Sequence, residues 1–349
     1  MGTSQTHDET RRFTPRRWLR GGHVQTVASF LIPRRFHLPA PEERLVEVAP
    51  GVQVLCHCHW QADRARALTI IIVHGLEGSS DSQYMLGVTE KALAAGMNVI
   101  RYNQRNCGGT DALAPVLYHS GLSNDVAAVA REVIARDRVS RLALVGFSMG
   151  GNIVLKLAGE WGSQAPPQFR AVAACCPAID LATSADALHE LANRIYEQYF
   201  LWALHRRMLQ KARLFPGHFD VSRLRGIRSL REFDDKVTAY YCGFKGVDDY
   251  YDRASAAHVV EMIAVPALVL YAANDPFIRI TPETRHKMSS NPNITFVETA
   301  DGGHCAFIGS PSKRLRVASP REAKGDENGG RYDDGFWAER EIVNFLRRF

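Results

Sequence analysis

The sequence predicts an α/β fold, a mainly parallel sheet flanked by helices, with a helical cap insertion before its last strands. Three observations carry this. Short apolar, β-branched runs alternate with helical patterns from residue 45 to residue 175. Between Cys175 and Ala267 the strand signal stops and helical spacing takes over, after which strands resume. A length of 349 residues suits one large α/β domain carrying such an insertion.

The elements follow in order. Residues 1–35 read as a basic N-terminal arm, with Arg11, Arg12, Arg16, Arg17, Arg20, Arg34 and Arg35 against only Asp8 and Glu9. The first part of the core, 36–181, opens with Leu45–Val48 and Val52–Cys58 as a hairpin around Pro50-Gly51. Leu68–Val73, Asn98–Tyr102, Arg141–Gly146 and Ala171–Cys175 read as buried strands. Helices fall at Tyr84–Ala95, Leu122–Arg136 and Gly151–Glu160. The cap insertion, 182–263, contains one long helical stretch, Asp186–Phe215. Leu188, Leu191, Ile195, Tyr199 and Trp202 recur there at three- and four-residue spacing, giving one apolar face. Tyr196, Tyr199, Phe200 and Trp202 are candidates to line an acyl pocket or to pack the cap onto the body. The second part of the core, 264–349, supplies strands Ala267–Tyr271 and Thr295–Val297. A polar, charged flexible loop at 311–334 and an amphipathic helix, Phe336–Leu346, complete it.

Composition excludes whole classes. Hydrophobic residues at 46% and charged residues at 23% rule out collagen-like, mucin-like and wholly disordered chains. No apolar run approaches the roughly 18 residues of a membrane span. The net charge of +6 raises a nucleic-acid role, but residues 1–35 carry +5 of it, and the rest is nearly neutral. A basic arm on a neutral body is most commonly a solvated tail; it also suits a phosphate or peripheral contact with an anionic membrane, and no nucleic acid is expected as partner. Seven cysteines without framework spacing point to a reducing, cytoplasmic compartment, and residues 24–32 lack the features of a secretory signal.

The chemistry concentrates at Gly146-Phe147-Ser148-Met149-Gly150, a Gly-x-Ser-x-Gly run between a predicted strand and a predicted helix. Such a turn is so tight that the residues two before and two after the serine must be nearly free of side chains, and it holds the hydroxyl proud of the sheet edge. A serine hydroxyl needs a base, and the base needs an orienting carboxylate. His304, in Asp301-Gly302-Gly303-His304, follows the last strand, and Asp275, in Asn274-Asp275-Pro276, follows the strand before it. Both loops leave carboxyl ends of strands, on the rim where open α/β sheets place their sites. An oxyanion would need two donors. The backbone N–H of Met149 is one candidate. The other is the N–H of Leu76, in the glycine-bearing loop His74-Gly75-Leu76-Glu77-Gly78, where His74 braces the loop.

Other motifs carry less. Cys56-His57-Cys58-His59 has metal-ligand residue types, but on a strand the cysteines and histidines face opposite ways. Cys175-Cys176 reads as buried strand, Cys305 as a neighbour of the base, and Asp248-Asp249 as cap loop rather than a calcium site. No cofactor fingerprint is present, and no metal is called for.

Taken together, the chain resembles an α/β-hydrolase, and more narrowly the YheT-like hydrolase and esterase branch. The matching segments are Gly22-His23-Val24-Gln25-Thr26, His74-Gly75-Leu76-Glu77-Gly78-Ser79, Tyr118-His119-Ser120-Gly121, the serine turn, Arg231-Glu232-Phe233-Asp234-Asp235, Asp249-Tyr250-Tyr251 and Gly302-Gly303-His304. The resemblance implies an α/β-hydrolase fold and a charge relay of Ser148, Asp275 and His304. It also implies hydrolysis of carboxylic esters, with short-chain esters, acylglycerols or phospholipids as candidate substrates. Asn106 stands where relatives show a small residue, and the loop 311–334 is longer than expected. The same triad would also serve an acyltransferase with an alcohol acceptor, and the fold alone would serve a non-catalytic lipid-binding protein.

Overall fold

The computed structural model describes residues 13–310 and 334–349. Its strands are β1 (Glu42–Ala49), β2 (Val52–His59), β3 (Thr69–Val73), β4 (Asn98–Tyr102), β5 (Leu142–Phe147), β6 (Phe169–Cys175), β7 (Ala267–Ala272) and β8 (Ile294–Thr299). They form an eight-stranded sheet in the order β1-β2-β4-β3-β5-β6-β7-β8. β1 and β2 pair antiparallel, as do β2 and β4, and the other pairs are parallel.

Before β6 the chain forms helices α1 (Gly22–Leu31), α2 (Gln83–Ala94), α3 (Ser123–Asp137) and α4 (Met149–Trp161). Between β6 and β7 lie α5 (Leu181–His189), α6 (Arg194–Leu214), α7 (Leu230–Phe233), α8 (Tyr240–Cys242) and α9 (Val247–Ala254). α10 (Pro282–Ser290) and α11 (Trp337–Leu346) follow. No helix among the described residues is long and apolar enough to cross a membrane.

Every residue of β3, β4, β5 and β7 is buried. That is why β3, β5 and β7 read as nearly unbroken apolar runs, since a parallel strand hides both of its faces, while β4 also buries Asn98 and Arg101. Along β3, Ile71 and Val73 join the core beneath α3, α4 and the cap helices, whereas Ile70 and Ile72 join the core beneath α2 and α11. The edge strands are longer than the sequence predicts because polar residues extend them. β1 opens on Glu42-Glu43-Arg44, yet Arg44 is buried and makes a two-pronged ion pair with Asp137 at the end of α3.

Two expectations need correction. The described part of the N-terminal segment, 13–35, is not a free arm. Phe13 packs edge-on against Phe307 at 5.5 Å, Pro15 bridges to Gly309, and Leu19, Gln25 and Thr26 are buried. Arg34 is itself paired with Glu339 and Asp334. The surrounding arginines obscured these few anchors. Arg11, Arg12 and nearly all of the predicted loop 311–334 lie outside the described residues.

The second correction concerns the cap. The stretch 186–215 breaks at Glu190–Asn193 into α5 and α6, and its apolar stripe faces outward: Leu191 is 84% exposed and Ile195 75%. α6 buries Glu197, Leu201, Leu204, Met208 and Lys211 instead. The periodicity was helical, but partnered charges occupy the inward face. Glu197 accepts from the Leu230 N–H at 2.9 Å, and Lys211 Nζ donates to Asn106 Oδ1 at 2.9 Å.

Candidate active site

The chain leaves β3 for β4 on one side and returns to β5 on the other, so β3 and β5 flank the point where strand order reverses. Crevices open at the carboxyl ends of strands at such points. Ser148 sits there, directly after β5 and directly before α4, with φ 54° and ψ −121°. A side chain in this sparsely populated region costs on the order of 1–3 kcal/mol, so the surroundings must enforce it. They do so by contact. A Cβ on Gly146 would lie 2.2 Å from the Gly150 carbonyl oxygen, and one on Gly150 would lie 2.2 Å from that of Val73. The Ser148 N–H donates to the Cys175 carbonyl at 2.9 Å, and its own carbonyl accepts from Asn152 and Ala178.

Asp275 and His304 come together from the loops after β7 and β8. His304 Nδ1 donates to Asp275 Oδ2 at 2.8 Å, while Asp275 Oδ1 accepts from the N–H groups of Phe277 and Ile278. Asp275 is 2% exposed. His304 Nε2 faces the Cys305 Sγ at 3.8 Å, and among the described residues no hydrogen bond joins it to Ser148. Ser148 and His304 line one cleft, of about 300 Å³, with Gly75, Leu76 and Phe200. Catalytic hydrogen bonds are often long in unliganded enzymes. Asp301 does not touch the histidine. Its oxygens accept from the N–H groups of Gly21 and Gly302 and from Asn274 Nδ2.

The loop after β3 brings Leu76 to the same cleft. Met149 is the first residue of α4, so its N–H has no acceptor within the helix. Among the described residues the Leu76 N–H also has none. His74 braces this loop as expected: Nδ1 donates to the Gly75 carbonyl at 2.8 Å and Nε2 accepts from the Gln104 N–H at 3.1 Å. Only a neutral imidazole does both.

Sequence reasoning missed two supports. Thr26 Oγ1 accepts from the His304 backbone N–H at 2.9 Å, and a Cβ on Gly22 would overlap the Asn274 carbonyl oxygen at 1.8 Å. α1 is therefore a strut under the His304 loop, and the Gly-His-Val-Gln-Thr match at 22–26 was its signal. The other support is Arg207 of α6, which donates to both carboxylate oxygens of Glu77, at 2.8 and 3.0 Å. Tyr118 Oη donates to Glu77 as well. Lys211 adds bonds to Asn106 and to the Asp111 and Ala114 carbonyls, and burial draws its pKa down to about 8. Asn106, the departure from the family pattern, has φ 65°, a left-handed conformation that asparagine tolerates better than most residues. Nothing in the sequence alone links positions 77 and 207.

Among the described residues, two groups bring metal-ligating types together: Cys175, Cys176 and Cys305, and Cys176 with Asp275 and His304. Their donors do not suit a cation. Burial pushes all three thiols well above the usual range, so they stay protonated, and both Asp275 oxygens are occupied. Cys56 and Cys58 lie in the core while His57 faces Ser80, so that run spreads over both faces of β2. Asp248 pairs with Arg231, and Asp249 accepts from the Lys245 N–H. Both are cap contacts.

Comparison with known proteins agrees with this geometry. The sequence profile of the alpha/beta hydrolase fold matches residues 69–311, and the chain belongs to that family. Within it, the chain falls in the YheT-like branch. It is 30% identical over 304 residues to the Escherichia coli (strain K12) protein named "Putative esterase YheT", covering 85% of this chain and 87% of that one. Phospholipase ABHD3 of Homo sapiens is 26% identical, over 86% of this chain and 74% of that one. The monoacylglycerol lipase of Saccharomyces cerevisiae is 27% identical, over 72% and 57%. Among solved structures, the Pyrococcus furiosus esterase Pf2001 shares the fold with a TM-score of 0.53 at 15% identity, covering 91% of this chain and 98% of that one.

The buried imidazoles give a pH prediction. Burial lowers His59 and His74 to about 4 and His119 to about 3, from 6.5. Below 6.5 the unfolded chain binds protons that these folded histidines refuse, so stability falls as pH drops toward 4. Asp125 and Asp234, both raised by burial, oppose this but are outweighed. The denaturation midpoint should decline steadily from about pH 7 to about pH 5. A midpoint that is flat or rises on acidification would contradict it.

Proposed function

We propose that the chain is a serine hydrolase of carboxylic esters, acting on short-chain, acylglycerol or phospholipid-like substrates. The observation that carries this reading is the strained Ser148 turn, in one cleft with the Asp275–His304 pair and the Leu76 loop. Relatives named as an esterase, a phospholipase and a lipase support the same reaction class.

In this mechanism Ser148 Oγ attacks the ester carbonyl carbon while His304 Nε2 takes its proton. Asp275 fixes the Nδ1–H tautomer and stabilises the imidazolium. The N–H groups of Leu76 and Met149 stabilise the oxyanion of the tetrahedral intermediate. Collapse breaks the ester C–O bond, His304 gives its proton to the departing alcohol, and Ser148 is left acylated. Water, deprotonated by the same histidine, then releases the acid and restores the serine. No step requires a cofactor. Product analysis with and without added alcohol distinguishes hydrolysis from acyl transfer. The seven free thiols suit a cytoplasmic setting.

Contact with anionic membranes belongs to the same proposal. Trp18, Phe30 and Leu31 are each more than two-thirds exposed, beside exposed Arg17, Arg20 and Arg35. Aromatic and basic side chains mixed in this way suit a headgroup region.

Three predictions follow from these roles. Ser148→Ala should abolish ester hydrolysis and phosphonate labelling together, by about 10³-fold or more, with circular dichroism unchanged; labelling that persists at another serine would reassign the nucleophile. Asp275→Asn should lower turnover by about 10³–10⁴-fold through the wrong tautomer, whereas Asp301→Asn should cost about tenfold through loop adjustment. The reverse ranking would move the triad acid to Asp301. Replacing Arg17 and Arg20 by glutamine should weaken binding to anionic vesicles, with about 1 kcal/mol lost per arginine, and equal binding would dismiss the membrane contact.

A further inference from the structure

A second cavity, of about 90 Å³, runs from Leu76, Ser148 and Met149, past Phe277, into the cap, where Leu188, Leu204 and Leu230 line it. Among these apolar walls stands one carboxyl group, Asp234, with Thr238 and Tyr251 beside it. Asp234 Oδ1 accepts from Thr238 Oγ1 at 2.7 Å, and Oδ2 accepts from Tyr251 Oη at 2.8 Å. Among the described residues no cationic group hydrogen-bonds to it. Arg231, the cation whose field reaches it, is engaged by Asp186 and Asp248.

The rest of the Arg231-Glu232-Phe233-Asp234-Asp235 run has structural work. Glu232 accepts from the Arg228 N–H and donates its own N–H to Ser229 Oγ, closing the start of α7. Phe233 is core, and Asp235 accepts from the Val247 N–H at the start of α9. Asp234 alone faces the cavity. It opens a π-helical turn, Asp234–Ala239, which sets it beside Thr238 on one face. Such turns are rare and are frequent at functional sites.

A carboxylate offers about four acceptor positions, and here two are used. A buried carboxylate so poorly supplied with donors is costly unless something else donates to it. An acyl chain carrying a hydroxyl would do so. An ammonium would meet the field of Arg231 and lose more hydration on entry.

We propose that Asp234, with Thr238 and Tyr251, forms a polar subsite in the acyl-binding cavity, selecting esters whose acyl group carries a hydroxyl remote from the carbonyl. The subsite rests on the ester-hydrolase reading above. Its experiment uses the full chain and paired p-nitrophenyl esters of increasing length, each plain and ω-hydroxylated. At the length that reaches Asp234, kcat/KM for the hydroxylated ester should exceed that for the plain one by about tenfold. Asp234→Asn and Tyr251→Phe should draw that ratio toward one. A merely structural role would lower both esters in proportion and leave the ratio unchanged, which would overturn the proposal. So would a wild-type ratio near one at every length, or a stronger preference for ω-amino esters. Thr238→Val gives the same readout where Asp234→Asn does not fold. Wild-type protein that neither hydrolyses an acetate ester nor takes a phosphonate at Ser148 would instead sink the hydrolase reading, and the subsite with it.

Discussion

The conformation of Ser148 is the constraint around which the site is built. A residue with a side chain does not hold φ 54° and ψ −121° unaided. Here the cost is met by a junction that admits no other path, with β5 pressed between β3 and β6 and α4 beginning one residue later. The glycines at 146 and 150 are the consequence, because backbone approaches backbone where a Cβ would stand, and a Cβ on Gly75 would crowd that of Ser148 at 3.1 Å. A hydroxyl held in this way loses little entropy when it meets a substrate, and two free N–H groups stand beside it. The strain and the placement of donors arise from one turn.

The cap is fixed to this turn by charge as well as by apolar packing. Arg207 grips Glu77, the residue after Leu76, and both side chains are largely buried. Removing one member of such a pair leaves the other uncompensated, typically at about 3–5 kcal/mol. Glu77 itself has φ 55°, so the bidentate grip also holds an unfavourable backbone in place. The cap therefore does more than roof the cavity. It helps set where the Leu76 N–H points.

Much of this was legible in the sequence, and what was hidden was hidden for physical reasons. Buried parallel strands announce themselves because both faces are apolar, and the serine turn does so because only glycine fits beside it. Ser148, Asp275 and His304 could be named from strand ends; Ser148 and His304 line one cleft, and Asp275 bonds to the histidine. The inward face of α6 was illegible because Glu197 and Lys211 are buried there beside Leu201, Leu204 and Met208, with partners remote in sequence, while Ile195, Tyr199 and Trp202 lie outside. β1 was shortened by Arg44, a buried charge whose partner lies at the end of α3. The segment 13–35 was read from its arginines, although its position depends on Leu19, Gln25 and Thr26.

These hidden contacts share a logic. His304 and the Leu76 loop each receive a support from a segment far away in the chain. α1 holds His304 through Thr26, and it holds Asp301 through the Gly21 N–H. α6 holds Glu77 through Arg207. His23 of α1 in turn stacks on Tyr196 of α6, with ring centroids 5.8 Å apart and planes 8° from parallel. The two supports therefore meet above the cleft, and a shift of either would be felt by both the imidazole and the Leu76 loop. Ser148 is thus fixed by the sheet, whereas His304 and the Leu76 loop hang from two touching helices. His304 Nε2 lies 3.8 Å from the Cys305 Sγ, on a loop whose position depends on α1. The backbone of Ser148 has no such freedom, because the contacts at Gly146 and Gly150 leave it nowhere to go.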